Sequence, residues 1–281
     1  MNSSLPAGAD AAPAPAPAAS PLLVSCIMVT ADRGALAARA VRCFARQTHP
    51  HRELVVLDDG REEIGTVLAA HAGSAPVRHV RLDPEAPRPT LGALRNRALA
   101  EASGELVAQW DDDDWHHPER LAAQVRALGD GDACVLAGTL VHVDSGAWRD
   151  HPFTGRLAGG VPGTILHRRA GAPHYPDVSR AEDTAFRDHY SRRGRLRTLA
   201  GSEHLFIRCF HGANTWGRGH FLRRLRNCPQ QLAAYLWWAV LRRDIFRHPG
   251  FRLGEEARQS RELYLRDSAE LGLIGPARSC G

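Results

Sequence analysis

ELVAQWDDDDWHHPERL, residues 105–121, decides how this chain is read. A short apolar run ends in four consecutive aspartates, Asp111 to Asp114, and a helix-like stretch opens at Pro118, in the first-turn position proline tolerates. The apolar run reads as a buried strand. Carboxylates this close repel and raise one another's pKa, so a cation, a group of arginines or open solvent must settle them. A helix start can use one or two of them, each favoured by roughly 0.3–1 kcal/mol through the helix dipole. Four exceed that need. Asp111 and Asp113 are two apart and would share a face on extended chain, and Mg²⁺ asks for only one or two protein carboxylates.

On either side of this stretch, strands and helices alternate. LLVSCIMVT (22–30), RELVVLDDG (52–60) and VRHVRL (77–82) read as strands. ADRGALAARAVRCFARQ puts Leu36, Ala40, Val41 and Phe44 on one helical face, EEIGTVLAAHAG follows the same period, and TLGALRNRALAEASG (90–104) reads as a helix closed by Gly104. This alternation through residue 130 predicts an α/β fold with a mostly parallel sheet. Ligands of such sheets bind beyond the carboxyl ends of the strands, where Asp58, Asp59 and the four aspartates fall. Further on, ACVLAGTLVHV (133–143), GVPGTILHRR (160–169), RLRTLA (195–200) and HLFIRCF (204–210) read as strands of a mixed extension, and RAEDTAFRDHYSRRG (180–194) as a helix closed by Gly194. Residues 219–243 are helical around a break near Pro229, and 257–272 form a last helix.

Composition narrows the function. The net charge of +5 suits small anionic ligands, and all 36 basic residues are arginine. Aromatics are only 6% and do not alternate with a basic stripe, and the densest charge feature is acidic, which argues against nucleic acid. The six cysteines match no zinc or redox spacing and read as free thiols of a reducing compartment. Residues 1–21 carry neither basic leader nor apolar core of a signal peptide, and their Ala-Pro alternation reads as a disordered tail. No run of 18 apolar residues suggests a membrane span. The phosphate loop GxxxxGK[ST], the dinucleotide GxGxxG and the calcium loop are all absent from the sequence.

Taken in order, VSCIMVTADR, FARQTHPHRELVVLDDG, ALRNRALAEASGELVAQWDDDDWHHPERL and the later AEDTAF resemble the family 2 glycosyltransferases of the A-type nucleotide-sugar-binding fold. The resemblance is continuous from about 22 to 130 and patchy to about 216. It implies one nucleotide-sugar-binding domain: a donor half (22–130), an acceptor-side half (131–218) and a C-terminal helical extension (219–281). It also implies a nucleotide-diphospho-sugar donor, Mn²⁺ or Mg²⁺, inversion at the anomeric carbon, and a saccharide, lipid-linked or small-molecule acceptor. Asp59 would contact the nucleobase. Thr30, Asp32, Arg33, Arg95, Asp111 and Asp112 would help hold the donor. Asp113 is the first candidate metal ligand, with Asp111 beside it. The all-aspartate run leaves that assignment open by one position. His211, in FHGANTW (210–216), would approach the metal or diphosphate. Of the acidic pair Glu182-Asp183, Asp183 would be the catalytic base.

Each residue also has a plain structural reading. Asp-Gly at 59–60 forms turns readily. Arg95 could lie on a solvated helix face, and Asn96 is expected to stabilise a neighbouring loop. Asp183 could pair with Arg187 one helical turn on, for a few tenths of a kcal/mol. Gly163, in VPGTIL, would permit close backbone approach on the acceptor side. AAYLWWAVLRR reads first as packing against the domain, and second as a peripheral membrane contact through residues 231–242 at the cytoplasmic face, since tryptophan and arginine favour that interface. Two other functions fit less well. A nucleotidyltransferase needs a richer glycine-basic loop than TADRGALAAR, and a non-catalytic nucleotide-sugar binder or scaffold would have no use for the acidic pair.

Overall fold

The computed structural model describes residues 22–274; the Ala/Pro-rich stretch 1–21 and Cys280 lie outside them. The first half runs β1 (Val24–Thr30), α1 (Gly34–Ala45), β2 (Arg52–Asp58), α2 (Gly65–Ala72), β3 (Val77–Arg81), α3 (Leu91–Ala100), β4 (Leu106–Gln109), β5 (Trp115–His116) and α4 (Arg120–Leu128). The second half adds β6 (Ala133–Leu136), β7 (Gly138–Val143), β8 (Phe153–Arg156), β9 (Leu166–Arg168), α5 (Glu182–Arg192), β10 (Leu196–Leu199) and β11 (Phe206–Phe210). Helices α6 (Arg218–Leu222), α7 (Pro229–Tyr235) and α8 (Glu255–Glu270) close the chain.

Seven strands form the central sheet in the order β10-β6-β9-β4-β1-β2-β3. All pairs are parallel except those of β9, which runs antiparallel between β4 and β6. A second sheet, β5-β11-β7-β8, is mixed. The period of two in β1 divides the core. Val24, Cys26 and Met28 pack with α1 residues such as Val41 and Phe44, while Ile27 packs on the other face with Leu94 and Ala98 of α3 and Phe186 of α5. The parallel α/β sheet and its mixed extension are as expected.

The structure corrects several local expectations. The run 133–143 is two strands in two sheets: β6 pairs with β9 and β10, and β7 pairs with β8 and β11. The chain changes sheet at Gly138, where a Cβ would crowd Glu203 at 2.9 Å and the Gly155 carbonyl at 3.0 Å. Within 160–169 only Leu166–Arg168 is strand, because a 3-10 turn at Pro162–Thr164 breaks it. Helix α3 ends at Ala100, not at Gly104. That glycine instead lets the chain pass close to β1: a Cβ there would lie 2.6 Å from the Leu23 carbonyl oxygen. Pro118 lies in a turn, and α4 begins at Arg120.

The expectation that 231–242 packs against the domain holds for one face only, where Tyr235 packs against the cluster of Phe153, Phe221 and Leu225. Helix α7 passes into a π-helical turn, Leu236–Leu241, whose Trp237 is 50% and Leu241 66% exposed. Leu232, Leu236 and Val240 are exposed as well. No helix among the described residues is long and apolar enough to cross a membrane.

Candidate active site

The four aspartates occupy a turn between β4 and β5, and their side chains diverge. Strand β5 separates them from α4, so they do not cap that helix. The segment is not extended, and Asp111 and Asp113 meet different partners. Asp111 accepts from Arg95 Nη2 at 2.9 Å and from Gln109 Nε2 at 3.2 and 3.1 Å. Asp112 accepts from Thr30 Oγ1 at 2.7 Å and from Arg33 Nη1 at 3.3 Å. Asp113 accepts from Asn214 Nδ2 at 3.1 Å. Asp114 accepts from the Cys209 backbone N–H at 3.0 Å.

Environment divides their acidities. Burial, reinforced by the charge of Asp113, pushes Asp112 up to about 7 and holds Asp114 well above the ordinary carboxylate range. Asp113 is half-buried, but His211, Arg33 and Arg208 more than offset the cost of its desolvation and hold it below the usual range. His211 Nε2 stands 3.6 Å from Asp113 Oδ2 and is buried with no hydrogen-bond partner. The loop is fixed by Asn214, whose Oδ1 accepts the His211 N–H at 2.8 Å.

The neighbouring strand ends complete one wall. Asp58 is fully buried, accepts the Gly60 N–H at 2.9 Å and lies 3.1 Å from His79 Nε2, which leaves Asp59 to face the cleft. Burial raises the pKa of Asp59. Asp32 is not brought to the cleft wall. Its φ is +53°, and its Oδ1 accepts the N–H groups of Arg61 and Glu62 at 2.6 and 2.9 Å, so it holds the loop that follows Asp59.

Arg95 lies on no solvated face. It is 5% exposed, and it donates from Nε to Glu182 Oε1 at 3.0 Å as well as to Asp111. Burial works against its charge, but the two carboxylates more than restore it. The start of α5 is thereby tied to the acidic turn. Asn96 holds the next segment as expected, exchanging two hydrogen bonds with the Tyr175 backbone at 2.8 and 2.7 Å. Ala181, just before Glu182, sits at φ +60°, a left-handed conformation costing about 1–2 kcal/mol in a non-glycine residue. Arg187 does not pair with Asp183; it binds Asp188 and the Gly160 carbonyl. Asp183 accepts from the Thr184 N–H at 2.6 Å through Oδ1. A Cβ on Gly163 would crowd Asp111 Oδ2 at 3.0 Å and come into ordinary contact with Asp183 Oδ2 at 3.9 Å, so glycine here leaves Asp111 unobstructed.

Two cavities meet at these residues. The first, about 470 Å³, is lined by Thr30, Arg33, Asp59, Arg95 and the four aspartates, among others. The second, about 350 Å³, is lined by Gly163, Arg187 and Arg224 among others. Asp111, Asp114, Asp183, Arg208 and Trp216 border both.

Residues 25–214 match the family profile described as Glycosyl transferase family 2. The chain belongs to that family.

Over 84 residues this family 2 glycosyltransferase chain is 30% identical to EpsH of Bacillus subtilis (strain 168), provisionally named a glycosyltransferase; the matched stretch is 30% of this chain and 24% of EpsH. Among solved structures, TarS 1-349 of S. aureus superposes with a TM-score of 0.55 at 16% identity, over 90% of this chain and 83% of that one. The mannosyltransferase PcManGT of Pyrobaculum calidifontis, in complex with GDP-Man and Mn²⁺, gives 0.54 at 17% identity, over 93% and 78%. These likenesses are of fold, the A-type fold of nucleotide-sugar transferases.

Sequence reading missed several side chains of this family 2 site. Arg208 was signalled by its place inside the apolar strand LFIRCF, where a lone arginine needs a reason. Arg88 and Arg180, both at the first cavity, carry no such signal in an arginine-rich chain. Nor does Arg224, one of three arginines in FLRRLRN.

Proposed function

We propose that the chain transfers a sugar from a nucleotide-diphospho-sugar to an acceptor hydroxyl, inverting the anomeric carbon. The observation that carries this reading is the position of Asp183, at the wall common to the two cavities. The first cavity takes the donor. Asp59 accepts hydrogen bonds from the nucleobase or ribose. Arg33 and Arg88, with their planar forks, suit the diphosphate. Thr30 and Asp112 brace Arg33.

The residues fit a divalent cation, Mn²⁺ or Mg²⁺, in one respect. His211 offers a buried, unpartnered Nε2 beside Asp113. Among the described residues no three His, Cys, Asp or Glu side chains converge on one point, so phosphate oxygens and water would have to complete the shell, as Mg²⁺ prefers. Asp113 and His211 would hold the ion, with Asp111 adjacent, and when bound it offsets charge on the diphosphate.

Asp183 takes the proton of the acceptor hydroxyl. The hydroxyl oxygen bonds to the anomeric carbon as the bond from that carbon to the diphosphate oxygen breaks, and the electron pair leaves with the nucleoside diphosphate. Asp183 must come within about 2.6–3.2 Å of the hydroxyl. Glu182, held by Arg95, keeps α5 and therefore Asp183 in register with the acidic turn. Arg95 binds Asp111 and Glu182, which leaves Asp183 as the carboxylate of these three that borders both cavities without an arginine on it.

Thermal shift with UDP, GDP, dTDP and CDP, each with and without Mn²⁺, tests the donor site, since a ligand of the folded state raises its apparent stability. One nucleotide should stabilise the wild type in a Mn²⁺-dependent way, and Asp113→Asn should lose that shift. Asp183→Asn should keep it while sugar transfer falls by about 10²–10⁴-fold. Unchanged transfer would assign the base elsewhere, and nucleotide binding without any turnover would favour a non-catalytic binder.

The exposed apolar turn after α7 supports a peripheral contact with the cytoplasmic membrane face through residues 231–242. Trp237→Ser with Leu241→Ser should abolish co-sedimentation with anionic vesicles; equal sedimentation rejects the contact.

A further inference from the structure

The second cavity has a charge pattern that transfer to a neutral hydroxyl does not require. Arg224 is 7% exposed and lines this cavity but not the first. Its Nη1 is buried without a hydrogen-bond partner. The base of its side chain packs on Gly155, where a Cβ would fall 2.7 Å from Arg224 Cβ and 3.3 Å from its Cγ. Arg208 and the exposed Arg223 line the same cavity. Arg187 is already satisfied by Asp188 and the Gly160 carbonyl.

Acids are present as well: Asp111, Asp114 and Asp183. Asp111 is bound by Arg95, and Asp114 accepts the Cys209 backbone N–H. His220 adds no positive charge at neutral pH, since burial and the surrounding arginines depress it to about 4. Burial and Arg208 lower Arg224 to about 9, so it remains charged at neutral pH at a cost. Asp183, on the same cavity, offsets part of this charge, but the guanidinium Nη1 has no direct partner, and a buried cation without one is unfavourable unless a ligand supplies it.

We infer that the second cavity is the acceptor subsite and that it binds an acceptor carrying an oxyanion, a phosphate or carboxylate, seated on Arg224 with Arg208 and Arg223. The inference rests on the transferase reading above and adds the class of acceptor. The donor's diphosphate is the competing claimant for these arginines. Arg224 does not reach the donor cavity, whereas Arg33 and Arg88 do. The oxyanion would thus sit on the acceptor side of Asp183, with the reacting hydroxyl between it and the donor.

The test uses the full chain saturated with its nucleoside diphosphate and Mn²⁺. Calorimetric titrations compare glucose 6-phosphate, glucuronate and inorganic phosphate with glucose. The wild type should bind at least one of the anions and not glucose. Arg224→Met should weaken that binding by about tenfold, as expected for loss of one charge-assisted contact. Arg224→Lys should recover part of it. Arg223→Gln, at an exposed position that tolerates substitution, should weaken it severalfold. Nucleotide affinity should be unchanged in all three. Vesicles of phosphatidylglycerol, compared with phosphatidylcholine, separate the sources: an Arg224-dependent preference assigns the oxyanion to a lipid headgroup, and soluble binding alone assigns it to a soluble acceptor. Equal anion affinity in wild type, Arg224→Met and Arg223→Gln overturns the inference. So does a parallel fall in nucleotide affinity, which would give the arginines to the donor. A wild type that binds nucleotide but none of the anions defeats this inference alone, whereas one that binds no nucleotide defeats the transferase reading beneath it.

Discussion

Replacing Arg95 with methionine separates the architecture of the site from its chemistry. Arg95 Nε and Nη2 bind Glu182 at 3.0 Å and Asp111 at 2.9 Å. Methionine fills much of the same volume but leaves both carboxylates without their cation. Glu182 is 3% exposed, and burial already raises its pKa. Removing one partner of a buried ion pair typically costs about 3–5 kcal/mol. With an unfolding entropy of about 2.1 cal/mol/K per residue, a chain of this size loses roughly 2 °C per kcal/mol, so Tm should fall by about 6–10 °C. The deficit should depend on pH. A carboxylate whose folded pKa is raised above its unfolded value loses stability as pH rises between the two. The difference from wild type should therefore be larger at pH 8 than at pH 5. Adding Glu182→Gln removes one stranded charge and should recover part of the loss, a coupling that a double-mutant cycle measures. The assay is thermal unfolding by circular dichroism for the four proteins at both pH values. A Tm change below 1 °C, or a deficit independent of pH, would falsify the view that Arg95 neutralises two carboxylates.

Three further outcomes follow from particular contacts. Gly163→Ala should change stability by less than about 1 kcal/mol but lower kcat/KM by about tenfold, because its methyl group would press on Asp111 Oδ2 from 3.0 Å; steady-state kinetics showing wild-type efficiency would refute this. Gly92→Ala should gain about 1 kcal/mol of helix propensity, yet its Cβ would fall 1.8 Å from the Pro176 carbonyl oxygen, so chemical denaturation should show a net loss of roughly 1–3 kcal/mol rather than a gain. His167 is fully buried with Nε2 unpartnered, and burial depresses it from 6.5 to about 4. The unfolded chain then binds the extra proton between those values, so this histidine's contribution is intact above pH 6.5 and is lost as pH falls toward 4, by up to about 3 kcal/mol. Denaturant titrations across that window should give a shallower pH slope for His167→Phe, and identical slopes would count against it.

The alternating half of the fold was legible because its periods are clean. The apolar run in β1 and the spacing of Leu36, Ala40, Val41 and Phe44 admit one arrangement, with the acidic turn at a strand end. The second half was harder for stated reasons. Residues 133–143 are apolar throughout, so nothing in their pattern marks the change of sheet at Gly138. Strand β5 has two residues, too few for any period. LWWAVL has the composition of a core segment yet leaves Leu236, Trp237, Val240 and Leu241 exposed, which depends on what faces it and not on its own sequence. In the site, residue types were legible and pairings were not. Asp59, Asp113 and Asp183 face the first cavity, whereas Asp32 serves a loop and Arg95 binds two acids, one 16 and the other 87 positions further along the chain. Arg224 gave no signal, because burial alone sets it apart from its neighbours.

The reversed strand β9 has a consequence for how the chain is made. Its three residues join β4 to β6. During synthesis β1 to β4 leave the ribosome before residues 166–168 exist, so one edge of the nascent sheet presents unpaired backbone groups until more than half of the polypeptide has been translated. Such edges invite pairing with other chains. A ribosome pause ahead of residue 166 should therefore raise aggregation of this protein, while a pause after β10 has emerged should leave its yield unchanged.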